Sequence, residues 1–257
     1  QQAAAATCPA PGAMGQRAFC CWCPDTDELP NLQALACTDM RGQGSRVALV
    51  AFYFPGCKTE WDTICRAGFL GNFWDSGKDS IQLSPPSFRP DVKSFSNAEA
   101  AFQALKFWRR ADEFRTLSGS EAFQLKKRLQ GTEDFKYAGF GTNWAAMKAV
   151  LRSKFRGRTD LAEALCATED AYLLEHNQAA GRDETWSDNH NGSGANWLGL
   201  QLMLLRDELL QGPGRGSWTD FAVHRCSLDV GSGRFRHMEL WQQQVRLAAR
   251  AVLQRFR

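Results

Sequence analysis

The chain has 257 residues, 44% of them hydrophobic and 11% aromatic, including nine Trp. That excludes a disordered polymer and allows a substantial core in one large domain. A formal net charge of +3 is too small to announce a nucleic-acid-binding surface by itself.

The longest apolar run, Val47 to Phe54, has the length of a strand and falls well short of the ~18 residues a membrane span needs, so no membrane partner is expected. The first residues carry no basic region followed by an apolar one, so no secretory leader is expected either. Five of the nine cysteines (Cys8, Cys20, Cys21, Cys23 and Cys37) precede residue 40, and the other four are scattered. Without an even framework, the expectation is free thiols in an intracellular, cytoplasmic setting.

Residues 1–45, rich in Ala, Pro, Gly and Cys, read as a loosely ordered extension. Cys20 and Cys23 form one C-x-x-C pair, but zinc wants four ligands at recurring spacing, and no metal is expected. Residues 46–54 are β-branched and aromatic and stop at Pro55-Gly56, which predicts a strand. Gly68 to Trp74 is a Gly-punctuated loop, and Ile81-Gln82-Leu83 is a short strand before Ser84-Pro85-Pro86.

Helices then dominate. Ser96 or Asn97 can cap one that runs to about Trp108, with Glu99 in its first turn, where a carboxylate suits the dipole. Others are expected over about 111–118, 120–130, 143–156, 159–166 and 197–210. A last helix from His237 to Arg257 aligns Met238, Trp241, Val245, Ala248 and Val252, a face expected to pack across the main domain. The predicted class is α+β and mainly helical, with a few short strands. One compact domain spans residues 46–211, and residues 212–257 form an extension that ends in the amphipathic helix.

The helix after Asn97 carries two charges in its apolar stripe. At 100° per residue, Phe102 and Lys106 fall within about 20° of Phe95, and Glu99 within about 40°. Glu99 and Lys106 are thus expected ~10.5 Å apart along the axis, with Gln103 bordering their face. A structural ion pair is one reading. Yet helix-stabilising pairs prefer three or four residues, and seven suits two side chains that converge on something between them. A Lys beside aromatic rings also has a depressed pKa, which makes a neutral, nucleophilic amine available.

A second constellation runs from Leu173-Leu174-Glu175-His176 through Asp183, Trp186 and Asp188 to Gly194-Ala195-Asn196-Trp197. A polar loop of this length inside a compact domain is usually functional. It is expected to form the opposite wall of the site. Asp183, Asp188 and His190 are too irregularly spaced to predict a metal. Glu175 and His176 read as supporting or capping groups. No Walker, dinucleotide or G-x-S-x-G signature is present, and no cofactor is expected.

Several motifs then fall in one order along the chain. They are Phe52-Tyr53, Gly71-Asn72-Phe73, the run from Ala98 to Phe107, Asn143-Trp144, Lys154-Phe155, Leu174-Glu175-His176, Asp183 with Trp186, Gly194 to Gly199, and Arg206. Together they resemble the NADAR family, the YbiA-like group of riboflavin-intermediate N-glycosidases, over about residues 46–210. The resemblance implies a compact, mainly helical α+β fold and cleavage of N-glycosidic bonds to ribose. The substrate would be a small nucleotide-like molecule or an ADP-ribosylated nucleic acid. For family members that remove ADP-ribose from guanine, it implies a lysine Schiff base.

Carried over residue by residue, the resemblance makes Glu99, Lys106 and Asp183 catalytic. Asn72, Phe73, Gln103, Trp144, Trp186, Asp188 and Asn196 become substrate-binding. The chain departs from the pattern at Ser187, where Gly follows the family Trp, and at Gly71, where Ser is usual. A third departure is Gln130-Gly131, where Gly-Arg is common. An ADP-ribosyl-guanine hydrolase, a riboflavin-intermediate glycosidase and a non-catalytic ADP-ribose-binding module are the readings to separate. Oligomeric state is left open.

Overall fold

A computed structural model of the chain describes residues 34–36, 47–56, 59–77, 80–156, 159–210 and 217–256. The expectations for the Cys-rich run through Cys37 and for Gly212 to Gly216 lie outside these residues. In chain order the elements are β1 (Leu35–Ala36), β2 (Ala48–Phe52), α1 (Glu60–Cys65), β3 (Ile81–Leu83), β4 (Lys93–Phe95) and α2 (Ala98–Ala104). There follow α3 (Gly119–Arg128), α4 (Asn143–Arg156), α5 (Thr159–Cys166), β5 (Tyr172–Glu175) and α6 (Trp197–Leu210). The last are α7 (Ser217–Asp220), β6 (Leu228–Asp229), β7 (Arg234–Phe235) and α8 (Met238–Arg255). The mixture is α+β and mainly helical, as expected. Among the described residues no helix is long and apolar enough to cross a membrane.

The described residues gather into two compact units. One takes those up to Leu70, from Asp160 to Asp229, and from Arg234 onward; the other takes Gly71 to Thr159 with Val230 to Gly233.

The first unit is built on the sheet β1-β2-β5, in which β2 pairs antiparallel with β1 and parallel with β5. Leu49 to Phe52 are all buried, as a parallel-paired strand covered on both faces requires. The predicted strand over 46–54 is thus shorter at both ends. Its partner β5 was not foreseen, because four residues of Tyr-Leu-Leu-Glu carry no period long enough to read. Helix α6 packs on β5, and ten of its fourteen residues are buried, which is why it shows no polar stripe. The face predicted for α8 is the packed one: Trp241, Val245, Ala248 and Val252 are all buried. The indole of Trp241 donates to Ala195 O at 2.8 Å, and Gln242 Nε2 donates to Gly192 O and Gly194 O at 2.6 and 2.8 Å. Cys65 and Cys226 are free and buried, as expected, but Cys166 is disulfide-bonded and corrects the expectation of free thiols throughout.

The second unit holds the hairpin β3–β4, in which Ile81 and Leu83 are buried and Gln82 is exposed. Ser153 of α4 ties itself to both backbone groups of Gln82, accepting at 2.8 Å and donating at 2.9 Å. Asn97 is the cap of α2: its side chain accepts from Ala100 N at 2.8 Å. All seven residues of α2 are buried. The helix predicted to reach Trp108 stops at Ala104. Lys106 N and Phe107 N bond three residues back, to Gln103 O and Ala104 O, which tightens the last turn. Phe107 then leaves helical space, and its ring and that of Trp108 are both buried. The next segment, predicted as a helix over 111–118, is a 3₁₀ stretch from Trp108 to Phe114.

Gly192 tests how firmly α8 is seated. It has φ +83°, and an added Cβ would lie 2.7 Å from Arg246 Cα. Gly192→Ala is expected to cost about 2–3 kcal/mol of unfolding free energy, read from the midpoint of chemical denaturation. An unshifted midpoint would mean that α8 can leave this loop without loss.

Candidate active site

In the second unit three side chains of one turn and its end form a chain of hydrogen bonds. Gln103 Nε2 donates to Glu99 Oε1 at 2.8 Å, and Lys106 Nζ donates to Gln103 Oε1 at 2.8 Å. Glu99 and Lys106 are therefore linked, as their shared stripe suggested, but Lys106 stands beyond the end of α2, not two full turns along it. Glu99 is only 8% exposed and Lys106 is half-buried. The amine lies 4.8 Å from the ring centre of Phe102 and 6.0 Å from that of Tyr137, and these two rings stack at 5.7 Å. Burial lowers the Lys106 pKa to about 8; Lys126 acts in the same sense, and Glu99 and Glu133 oppose it.

The backbone around this chain is held from several sides. Glu99 N donates to Asn72 O at 2.9 Å, and Asp134 N donates to Lys106 O at 2.8 Å. Lys154, fully buried, donates from Nζ to Gly71 O at 2.7 Å. Burial drives its pKa down to about 7. Asn72 Oδ1 is buried and accepts no hydrogen bond among the described residues. Phe73 lies under α3, where a Cβ at Gly119 would come within 2.6 Å of its ring. Tyr137 and Ala138 both have positive φ, 49° and 54°. Such strained non-glycine backbone persists only where the surroundings enforce it, and it clusters at functional sites.

Trp144, which the resemblance makes substrate-binding, is placed otherwise. It is fully buried on α4, and its indole donates to Val230 O at 3.1 Å. It packs as a core aromatic. The rings near the amine are those of Phe102, which the apolar stripe already set beside Lys106, and Tyr137, which the sequence reading passed over. A lone Tyr in a polar stretch carries no periodic signal.

In the first unit, Asp183 is half-buried, and its Oδ1 accepts from Thr185 N and Trp186 N at 2.8 and 2.9 Å. Burial raises its pKa against those two bonds, which suits a carboxyl that delivers a proton. Trp186 is half-buried, with its ring edge-on to Trp197 at 5.9 Å. Asp188 and Asn196 are fully buried and serve the backbone. Asp188 Oδ2 receives His176 Nδ1 at 2.6 Å, and Oδ1 receives His190 N at 2.8 Å. Asn196 accepts from Glu175 N at 3.0 Å and donates to Leu173 O at 2.9 Å, which fastens the start of α6 to β5. Both residues hold the loop in shape. Tyr53, its pKa raised by burial, lies 5.9 Å from the guanidinium of Arg182 and feels Glu175 and Asp183. The aromatic run at β2 hid Tyr53 from the sequence reading as a polar group. Among the described residues no group of three or more His, Cys, Asp or Glu could hold a metal ion.

Residues 59–210 match the NADAR domain, more than half of the chain. A riboflavin biosynthesis protein of Vibrio vulnificus is 32% identical over 145 residues, 55% of this chain but only 35% of its own length. N-glycosidase YbiA of Shigella flexneri is 32% identical over 148 residues, covering 54% of this chain and 87% of the relative. The NMR structure of the E. coli protein YbiA overlays with a TM-score of 0.45 at 27% identity, over 63% of this chain and 87% of that one. With its match across residues 59–210, the chain belongs to the NADAR family, whose named relatives here include N-glycosidases.

Proposed function

We propose that this N-glycosidase removes ADP-ribose from guanine bases, with Lys106 as the nucleophile. The observation that carries the lysine's role is its half-buried amine, hydrogen-bonded to Gln103 and lowered to a pKa of about 8. At pH 7 about a tenth of such an amine is neutral, against roughly 0.03% of an ordinary lysine. In the reaction the Nζ lone pair forms a bond to the anomeric carbon, and the bond from that carbon to the base nitrogen breaks. Glu99 supplies the proton that the departing base takes up. The lysine nitrogen then gives up a proton. The bond from the anomeric carbon to the ring oxygen breaks as the C=N bond forms, and the ring oxygen takes up that proton as a hydroxyl, which leaves a protonated imine. Water adds to the imine carbon and releases the sugar, restoring the free amine. The alternative is direct displacement by water through an oxocarbenium-like transition state, with a carboxylate stabilising the cation and no bond to Lys106.

The choice of substrate rests on two different supports. Helix α8 lies beyond the matched domain and exposes Arg246 and Arg250, a basic surface of the first unit that suits a polyanionic substrate. The second reading is a riboflavin-pathway ribosylamine, favoured by the name of the Vibrio relative. Incubation with an ADP-ribosylated guanosine oligonucleotide should release ADP-ribose, detected by mass spectrometry. Turnover of only the pyrimidine intermediate would replace the first reading by the second. Tight binding of ADP-ribose with no product from either would make the protein a binding module.

Two outcomes are expected for the lysine. Borohydride added during turnover should trap a sugar on Lys106, and Lys106→Ala should lose at least about 10³-fold in kcat; full activity in that variant would end the imine route. Because the neutral amine is the reactive form, kcat should rise about tenfold between pH 7 and 9 and level off above the pKa of about 8. A rate flat across that interval would remove the amine from the rate-determining step.

A further inference from the structure

Gln103 uses both ends of its amide. It donates to the carboxylate of Glu99 and accepts from the amine of Lys106, each at 2.8 Å. The partners fix this sense. With the amide reversed, its oxygen would face a carboxylate oxygen and its NH₂ would face a donor, and both contacts would be lost. Gln103 is itself buried, at 6% exposure, so neither end can be satisfied by bulk water instead. No other side chain of this length donates to an acid, accepts from an amine and carries no charge. Glutamate would bring a second negative charge to the amine, and methionine would abandon both groups.

We propose that Gln103 is a positioning residue that holds Glu99 and Lys106 one amide apart, so that they act as two separate groups instead of collapsing into an ion pair. This rests on the reading of Lys106 as the nucleophile. A carboxylate in direct contact with the ammonium would stabilise the charged form of the amine, and Coulomb attraction grows as the separation shrinks. It would also occupy the carboxylate oxygens needed for proton transfer. The charged and titratable groups that bear on the amine come from every side. Glu99 lies on α2, Lys126 on α3, and Glu133 and Tyr137 on the segment after α3. Asp134, beside them, spends its carboxylate on Lys136 N and Ala138 N. In this setting burial and Lys126 keep the amine deprotonatable, Glu99 and Glu133 oppose them, and Gln103 limits how strongly Glu99 can do so.

The test separates the amide's role from the lysine's. The full chain is labelled with [ε-¹³C]lysine, and the Lys106 resonance, assigned by its loss in Lys106→Arg, is followed against pH in the parent, Gln103→Met and Gln103→Glu. The parent midpoint should fall at about 8. It should move upward by about one pH unit in Gln103→Met and further in Gln103→Glu. The alkaline rise of kcat should shift by the same amount. The loss in Gln103→Glu should lie in kcat and shrink as the pH rises past the new midpoint, with KM moving less than kcat, which separates positioning from the substrate contact that the resemblance implies. Unmoved midpoints in both variants would overturn the proposal. So would an increase in KM alone, which would make Gln103 a substrate contact. Midpoints that move while the rate profile stays put would uphold the spacer and instead overturn Lys106 as nucleophile.

Discussion

The second unit is organised around a partly desolvated amine. Removing an ammonium from water costs several kcal/mol unless it is paired or gives up its proton. Lys106 is half-buried against Phe102 and Tyr137 and donates to an amide oxygen in place of a carboxylate. Its charge is thereby destabilised without the compensation an ion pair would supply. Lys154 marks the limit of the same physics. It is fully buried and its pKa falls further, to about 7, yet its Nζ is committed to Gly71 O. A depressed pKa therefore does not identify a nucleophile; access does. The two lysines are also coupled through backbone. Lys154 fixes Gly71, the next carbonyl along belongs to Asn72, and that carbonyl accepts the Glu99 N–H.

The first unit applies a similar economy to a loop. Asn189, His190 and Asn196 all take left-handed backbone, with φ of 58°, 68° and 50°, and Gly192 has φ of 83°. Non-glycine residues occupy that region only when side chains compensate. Here Asn196 bridges β5, Asp188 gathers His176 and the His190 N–H, and α8 closes over Gly192 and Gly194 through Gln242. Asp183 can then keep one carboxylate oxygen on two N–H groups of a preset turn. The buried polar groups of this loop spend their hydrogen bonds on shape, as buried polar groups must.

What could be read without coordinates follows the range of the signal. Long periodic helices such as α4 and α8 have enough turns for their patterns to stand out, α6 is legible by the length of its apolar run, and the capping Asn97 announced the start of α2. The end of α2 was not legible, because Phe107 and Trp108 extend the apolar pattern that in fact marks a bend into the core. That error kept Lys106 on the helix but left its neighbourhood right, since the bond to Gln103 depends on three-residue proximity that a tightened turn preserves. Trp144 failed for the opposite reason: burial is a property of the whole fold, and an aromatic residue in a motif looks alike whether it lines a site or fills a core. The roles of Gln103 and Tyr137 depend on atoms 2.8 to 6.0 Å apart, a scale no periodicity resolves.

The desolvated lysines also tax the fold in one direction of pH. For a Lys whose folded pKa lies below its ordinary 10.5, the unfolded chain binds the proton more readily. The penalty is fully present below the folded values of about 7 and 8, and it fades as the pH rises toward 10.5. At neutral pH the folded state carries this cost, and packed apolar groups must offset it: Phe155 lies 5.2 Å from the Lys154 amine, and all seven residues of α2 are buried. Selection for stability alone would replace Lys154 by a hydrophobe of similar volume, since among the described residues its buried amine returns one hydrogen bond to a carbonyl. Its presence makes sense if that carbonyl must be held for Asn72 and Glu99. Strain and desolvation at this site are then parts of one arrangement, in which stability at neutral pH is given up for a fixed carboxylate and an amine able to lose its proton.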